Sequence, residues 1–196
     1  MEDHTQKATI GKLGMRYGLL IAGISVVLSI VFRIVNPLMQ FTNIWVQLFS
    51  AVVGIALIVI FGMEIRKSIG GYWSFGTAFK ALMTMSVFVI LITVLYSFIL
   101  FKFIDPDMPT KINDATEAVM TERLAKMGMD QDKIDETSKM FHNGEFKAKL
   151  EPTLKNEAVT ICFSLLFYVV VNLIVAACIK KNKPLNTLDD AIDPAV

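Results

Sequence analysis

Histidine and cysteine are scarce, with two of each in 196 residues. Two cysteines cannot build a disulfide scaffold, and so few His and Cys exclude most His/Cys metal cages. Eleven glycines and six prolines are too few for a fibrous or low-complexity chain. Neither sign of charge dominates, since 19 Lys and Arg oppose 18 Asp and Glu for a formal charge of +1. Binding the phosphates of nucleic acid needs a clear basic excess, so no nucleic acid is expected as a partner. Charge of either sign is also thin, at 19% of residues against about 25% in soluble domains. Hydrophobic residues instead make up 54% of the chain, and mean hydropathy is +0.56. The solvent such a composition suits is lipid.

A helix crossing about 30 Å of hydrocarbon needs about 20 apolar residues. Four windows supply them, at residues 17–35, 44–62, 79–103 and 158–179. None shows the polar face that a helix on a soluble core would carry. Asn36-Pro37 and Asp105-Pro106 stop the first and third helices, because proline cannot continue the hydrogen-bond ladder. Glu151-Pro152 reads as a cap followed by a first-turn proline. The first window is longer than the apolar region of a signal peptide, and no small-residue cleavage site follows it, so it is expected to remain as an anchor. The predicted fold is therefore all-α: a polytopic membrane protein of four transmembrane helices, with a helical extramembrane insert between the third and fourth. Its segments are an N-terminal stretch 1–16, helices 1–3 within 17–103, the insert 104–157, helix 4 at 158–179 and a tail 180–196.

Basic residues in short flanks favour the cytoplasmic side. Lys7, Lys12 and Arg16 precede the first span, Arg66, Lys67 and Lys80 flank the second connection, and Lys180, Lys181 and Lys183 follow the fourth span. The 36–43 hairpin carries no charge. Both termini are thus expected to be cytoplasmic, in a multi-pass membrane protein. Arg33 is the lone exception, and its long stem can snorkel to the interface. Trp45 at one boundary and Tyr72, Trp73 and Phe75 at the other read as interfacial aromatics.

The insert holds twelve acidic and eight basic side chains. Ile112, Ala115, Val119, Leu124 and Met127 keep roughly to one helical face. Asp114 and Glu117 suggest a capping box, Gly128 a helix end, Asp130 the cap of a second helix, and Asn143-Gly144 its stop. Phe146, Leu150 and Leu154 repeat every four residues into the last span. A segment this short is marginal as an independent domain, so it is expected to pack on the ends of the spans or on a membrane or periplasmic partner.

In the fourth span Ser164, Tyr168, Asn172 and Ala176 recur every four residues and form one stripe. Polar side chains in hydrocarbon need partners, and Ser86, Thr93 and Ser97 on the third span are the candidates. This stripe reads either as interhelical glue or as part of a substrate or ion path. Small residues Gly14, Gly18, Ala22, Ser25 and Ser29 share a face of the first span, and Ser50, Gly54 and Gly62 lie along the second. Such stripes let helix backbones approach closely. Packing within the chain is favoured over contact in a homo-oligomer, which the stripes also permit.

No acidic residue lies deep in a span, where an ion-coupled transporter would keep one, and no inverted repeat is visible. The run from Asp130 to Asp135 fails as a calcium loop, having Ile134 at the fifth position and Asp135 where glycine is required. Gly70, Gly71 and Gly76 lack the Gly-Lys-Ser/Thr of a phosphate loop. His4 and His142 fall on opposite sides of the membrane. Cys162 and Cys178 are sixteen residues apart on one helix, roughly 24 Å, and read as small apolar fillers. No catalytic, cofactor-binding or metal site is therefore expected.

The stretch Tyr72-Trp73-Ser74-Phe75-Gly76-Thr77-Ala78-Phe79-Lys80, the apolar span after it and Phe103-Ile104-Asp105-Pro106 resemble domain-of-unknown-function family 4199. The Tyr17-Gly18 opening of the first span and the lysine-rich exit of the last fit as well. The resemblance runs from about Lys12 to Lys183. It implies small bacterial membrane proteins of a Gram-negative inner membrane and brings no activity, cofactor or site residue with it.

The leading expectation is a non-enzymatic accessory or scaffold protein. The alternative is a subunit of a small transporter or channel, with Tyr168, Asn172 and Thr93 along a polar path. A membrane enzyme using Asp105 and Asp107 on lipid-linked substrates is the weakest of the three, because these acids read as helix stops.

Overall fold

A computed structural model describes residues 2–182, with side chains from Thr9 onward, so His4 lies outside the described side chains. Four helices are long and apolar enough to cross a membrane: 9–35 within α1 (Glu2–Val35), α3 (Ile44–Ser68), the stretch 75–104 that contains α4 (Phe75–Ile99), and α8 (Leu154–Ile179). α1 begins well before residue 17. Residues 9–16 belong to its apolar run, and one face of them packs inward, with Ile10 buried in the core and Gly14 buried while Lys12, Met15 and Arg16 are exposed. After α1 stops at Val35, the 36–43 hairpin holds one short helix, α2 (Met39–Thr42). Asn43 then caps α3 by accepting the Trp45 N–H at 2.9 Å.

α4 is the centre of the bundle. α1 packs along one side of it and α8 along another, and α3 touches all three. The core is built where they meet, from Ala78, Ala81, Leu82 and Met85 of α4 against Ile21, Ile58, Ile65, Ala176 and Ile179. The outward faces carry large exposed apolar side chains such as Phe163, Leu166 and Val170. In water such faces would be an aggregation liability; in lipid they are in their proper solvent. Cys162 and Cys178 are also exposed rather than filling the core.

The two ends of the bundle differ. At the end bearing the chain termini (the tail end), Trp73 is almost fully buried, not displayed as an interfacial aromatic. Its indole Nε1–H donates to the Ile179 carbonyl at 3.0 Å, and Arg66 Nη1 donates to the same oxygen at 2.8 Å. The backbones of Trp73 and Lys181 exchange hydrogen bonds of 2.9 and 3.2 Å. The last carbonyls of a helix lack internal partners, and here a loop residue and a neighbouring helix supply them. Tyr72 is half-buried beneath the Lys181 ammonium, 5.1 Å from the ring centre. Trp45, at the hairpin end, is 75% exposed, as an interfacial aromatic should be.

At the hairpin end α4 runs into a π-helical turn, Leu100–Ile104, closed by the Asp105 N–H donating to Leu100 O at 2.8 Å. The insert follows as α5 (Met108–Lys126), α6 (Gln131–His142) and α7 (Glu145–Leu150). Asp114 and Glu117 do not cap α5, because the helix starts earlier. Pro109 sits in its first turn, where its fixed φ and missing N–H cost nothing. Gly128, at φ +72°, ends α5 with bonds from its own N–H to Ala125 O and from Met129 N–H to Leu124 O, the left-handed stop expected of glycine. Asp130 occupies the cap of α6 without a side-chain bond. Gly144, at φ +74°, separates α6 from α7. The Phe146–Leu150–Leu154 stripe is broken. Glu151 is extended before Pro152, and Thr153, not Glu151, caps α8 by accepting the Asn156 N–H at 3.2 Å. Leu154 is 84% exposed.

The insert has a small core of its own, with Ile134 and Phe141 buried and Phe141 5.0 Å from the Phe146 ring. It also docks on the hairpin. α5 packs on α2, buries Met108 and Ile112, and donates from Arg123 Nη2 to Thr42 O at 3.3 Å.

Candidate functional site

Polar side chains inside the bundle fall into two groups. The first is the α8 stripe. Asn172 is fully buried, and its amide nitrogen donates to Ser86 Oγ at 2.8 Å and lies 3.3 Å from the Met83 sulfur. Its Oδ1 has no hydrogen-bond partner among the described residues. Ala176, one turn on, is fully buried. Ser164 and Tyr168 are half-buried, and Tyr168 packs against the core. Thr93 does not join this stripe. Its hydroxyl donates to Val89 O at 2.8 Å and Ile90 O at 3.1 Å of its own helix. Thr93 and Ser97 line a cavity beside α1 instead.

The pair contributes little to stability. Interhelical hydrogen bonds of this kind average about 0.6 kcal/mol, because the unfolded chain in lipid also finds partners. Asn172→Leu, which also removes the unpaired Oδ1, is expected to change stability by less than about 1 kcal/mol, measured by denaturant unfolding in mixed micelles. A loss of several kcal/mol would mean the amide does more than join two helices.

The second group is a cleft of about 190 Å³ between α1, the hairpin and the far half of α4. Ser25, Ser29, Arg33, Gln40, Thr93, Tyr96 and Ser97 give it polar walls, and Val26, Pro37, Phe41, Leu100 and Phe101 complete it. Ser25 lies ten residues from the end of α1, so the cleft reaches roughly 15 Å along the helix from the hairpin end. Ser25 donates to Ile21 O, and Ser29 donates to Gln40 Oε1, each at 2.9 Å. At the mouth Arg33 Nη2 donates to Asp105 Oδ2 at 2.8 Å, and Lys111 Nζ donates to Asp105 Oδ1 at 2.9 Å. Both carboxylate oxygens are thus engaged by cations. The sequence reading took Asp105 as a helix stop and Arg33 as a snorkelling side chain. The missed signal is shared depth: each is a charged residue near the hairpin end of a span, and those two spans are neighbours.

The Lys111 ammonium holds the Asp105 carboxyl below its ordinary value of 3.8; partial burial opposes this, and Arg33 adds to the lowering. A depressed carboxylate contributes stability that is complete above 3.8 and is lost only as pH falls below it, through the lower folded value. The melting difference between wild type and Asp105→Asn is therefore expected to stay constant from about pH 8 to about pH 5 and to shrink below about pH 4. A difference that vanishes near neutrality would contradict this ion pair.

The small residues divide in the same way. Gly14 and Gly18 face α4 at close range, and Ala22 one turn on is fully buried: a Cβ on Gly18 would lie 2.7 Å from Met85 O, and one on Gly14 would lie 3.1 Å from Thr84. Gly62 meets Leu82 and Ile179. Gly54, by contrast, has no atom within 4 Å of an added Cβ among the described residues, and Ser50 donates to Val46 O of its own helix. Gly54 does not bring helices together within this chain. Among the described residues no group of three or more His, Cys, Asp or Glu could hold a metal.

Four apolar spanning helices, a dry polar pairing between two of them and a helical cap on one end define a multi-pass membrane protein. The chain belongs to the family described as protein of unknown function, DUF4199, whose model matches residues 16–181. No curated protein and no solved structure matches it significantly.

Proposed function

We propose that this protein is a non-catalytic accessory or interaction protein of a bacterial cytoplasmic membrane. Its termini face the cytoplasm, and the insert meets a membrane or periplasmic partner on the other side. The orientation rests on the basic flanks at the tail end, Arg66, Lys67, Lys180 and Lys181 among them.

The observation that carries the reading is the apolar surface of the insert. Met120, Met127, Met129 and Met140 are 42%, 76%, 39% and 52% exposed, outside the spans where lipid would cover them. Met120 and Met127 are two helical turns apart, so they share a face at the end of α5. Methionine is flexible and polarizable, which suits it to adaptable protein contacts. The insert is also fixed to α1 by Arg33–Asp105–Lys111 and to the hairpin by Arg123–Thr42, so that face is held in place.

In-cell crosslinking followed by purification of the full-length chain in mild detergent tests this. One stoichiometric partner is expected, and it should be lost from Met120→Glu/Met127→Glu. A protein that purifies alone, or crosslinks that the double substitution leaves unchanged, would contradict the reading.

The half-buried hydroxyls of Ser164 and Tyr168, with no hydrogen-bond partner among the described residues, favour a second reading as a transporter or channel subunit. Flux in reconstituted vesicles that falls in Tyr168→Phe would support it. Absence of flux for every solute class would remove it.

A further inference from the structure

The cleft between α1 and α4 holds polar groups without hydrogen-bond partners among the described residues. The Tyr96 and Ser97 hydroxyls and the Gln40 amide nitrogen have no partner among the described residues, and the Arg33 guanidinium uses only Nη2. Tyr96 and Ser97 lie within the third span, where hydrocarbon offers nothing to bond, while Arg33 and Gln40 lie at the hairpin end of the bundle. The carboxylate and amide acceptors nearby are already engaged: Gln40 Oε1 takes the Ser29 hydroxyl, and both Asp105 oxygens take cations. Arg33, Lys111 and Asp105 together carry one net positive charge. A second, independent feature is the π-helical turn Leu100–Ile104, whose Leu100 and Phe101 form part of the wall. π turns recur at functional sites because the extra residue widens the helix and re-aims its side chains.

The ligand that complements this is rich in acceptor oxygens, negatively charged at one end and apolar at the other. We propose that the cleft is a binding site for an anionic phospholipid, with its phosphate at Arg33 and Gln40 and its ester carbonyls at Tyr96 and Ser97. The depth order fits, since Arg33 and the hairpin lie at the membrane surface and Ser97 and Thr93 lie further along α4 towards the middle. The acyl chains run past Val26 and Phe101 into surrounding lipid. The volume of about 190 Å³ is below the 300 Å³ at which enclosed small-molecule pockets begin, so it suits the phosphate and glycerol ester of a lipid rather than a whole soluble substrate. This site is separate from the methionine face and stands whether or not a protein partner exists.

The test uses the full-length protein in mild detergent, exchanged in turn with phosphatidylglycerol, phosphatidylcholine and inorganic phosphate, with bound lipid counted by native mass spectrometry. One phosphatidylglycerol per chain is expected, retained at about tenfold lower concentration than phosphatidylcholine and not displaced by inorganic phosphate. Tyr96→Phe/Ser97→Ala removes only unpaired hydroxyls, so its elution and melting should match wild type while retention weakens about tenfold. Equal retention of the two lipids, displacement by inorganic phosphate, or unchanged retention in the double variant would overturn the proposal. Should the double variant misfold, the competition between the two lipids on wild type decides the matter alone.

Discussion

Trp73→Ala is expected to lower unfolding free energy by about 3–5 kcal/mol, the usual cost of emptying a buried tryptophan site. Trp73 is only 4% exposed and packs in the same core as Ile65, Ala78 and Ile179. Its removal leaves a cavity where α3, α4 and α8 converge and strips one of two donors from Ile179 O. Trp73→Phe separates these effects. It keeps most of the apolar volume, loses the indole N–H and a smaller part of the ring, and is expected to cost about 1–2 kcal/mol. Denaturant unfolding in mixed micelles measures both. If the alanine variant were as mild as the phenylalanine one, Trp73 would belong to a lipid-facing belt and the tail-end latch would be wrong.

Gly18→Ala is the second large effect, expected to cost about 1–3 kcal/mol or more. The new methyl would sit 2.7 Å from Met85 O and 3.0 Å from Met85 Cα and Phe88 Cβ. Two of those atoms are backbone and cannot rotate away, so α1 must move off α4. Gly54→Ala is the control. It meets open space, and alanine is the better helix residue by about 0.5–1 kcal/mol. The expected pattern is loss at Gly18 and none at Gly54. The opposite pattern would put the main close helix contact on α3, in an interface between copies of the chain.

The spans were legible because the bilayer imposes one length scale and forbids unpaired backbone. Four long apolar windows and the stops at Asn36-Pro37 and Asp105-Pro106 leave little freedom. Details that depend on the neighbouring helix were not legible. Gly18 and Gly54 look alike in sequence, and only the crossing of α1 on α4 gives one a contact and the other open space. Thr93 lies seven residues beyond Ser86 on α4, yet it bonds to its own helix and lines the cleft, while Ser86 meets Asn172. Trp73 carries the signature of an interfacial aromatic, and its burial follows from the Lys181 backbone pairing with the loop before α4. Arg33 and Asp105 are 72 positions apart; equal depth on adjacent helices joins them. Caps in the insert shifted because Pro109 and Thr153 are better helix starts than the pairs the local pattern suggested.

The central claim is that the chain threads a membrane four times, leaving the insert and the tail on opposite sides. Paired reporter fusions, one after Asn143 and one after Val196, read the two compartments directly. The account expects the Val196 fusion to report the cytoplasm and the Asn143 fusion to report the far side. Both reporters in one compartment would contradict it.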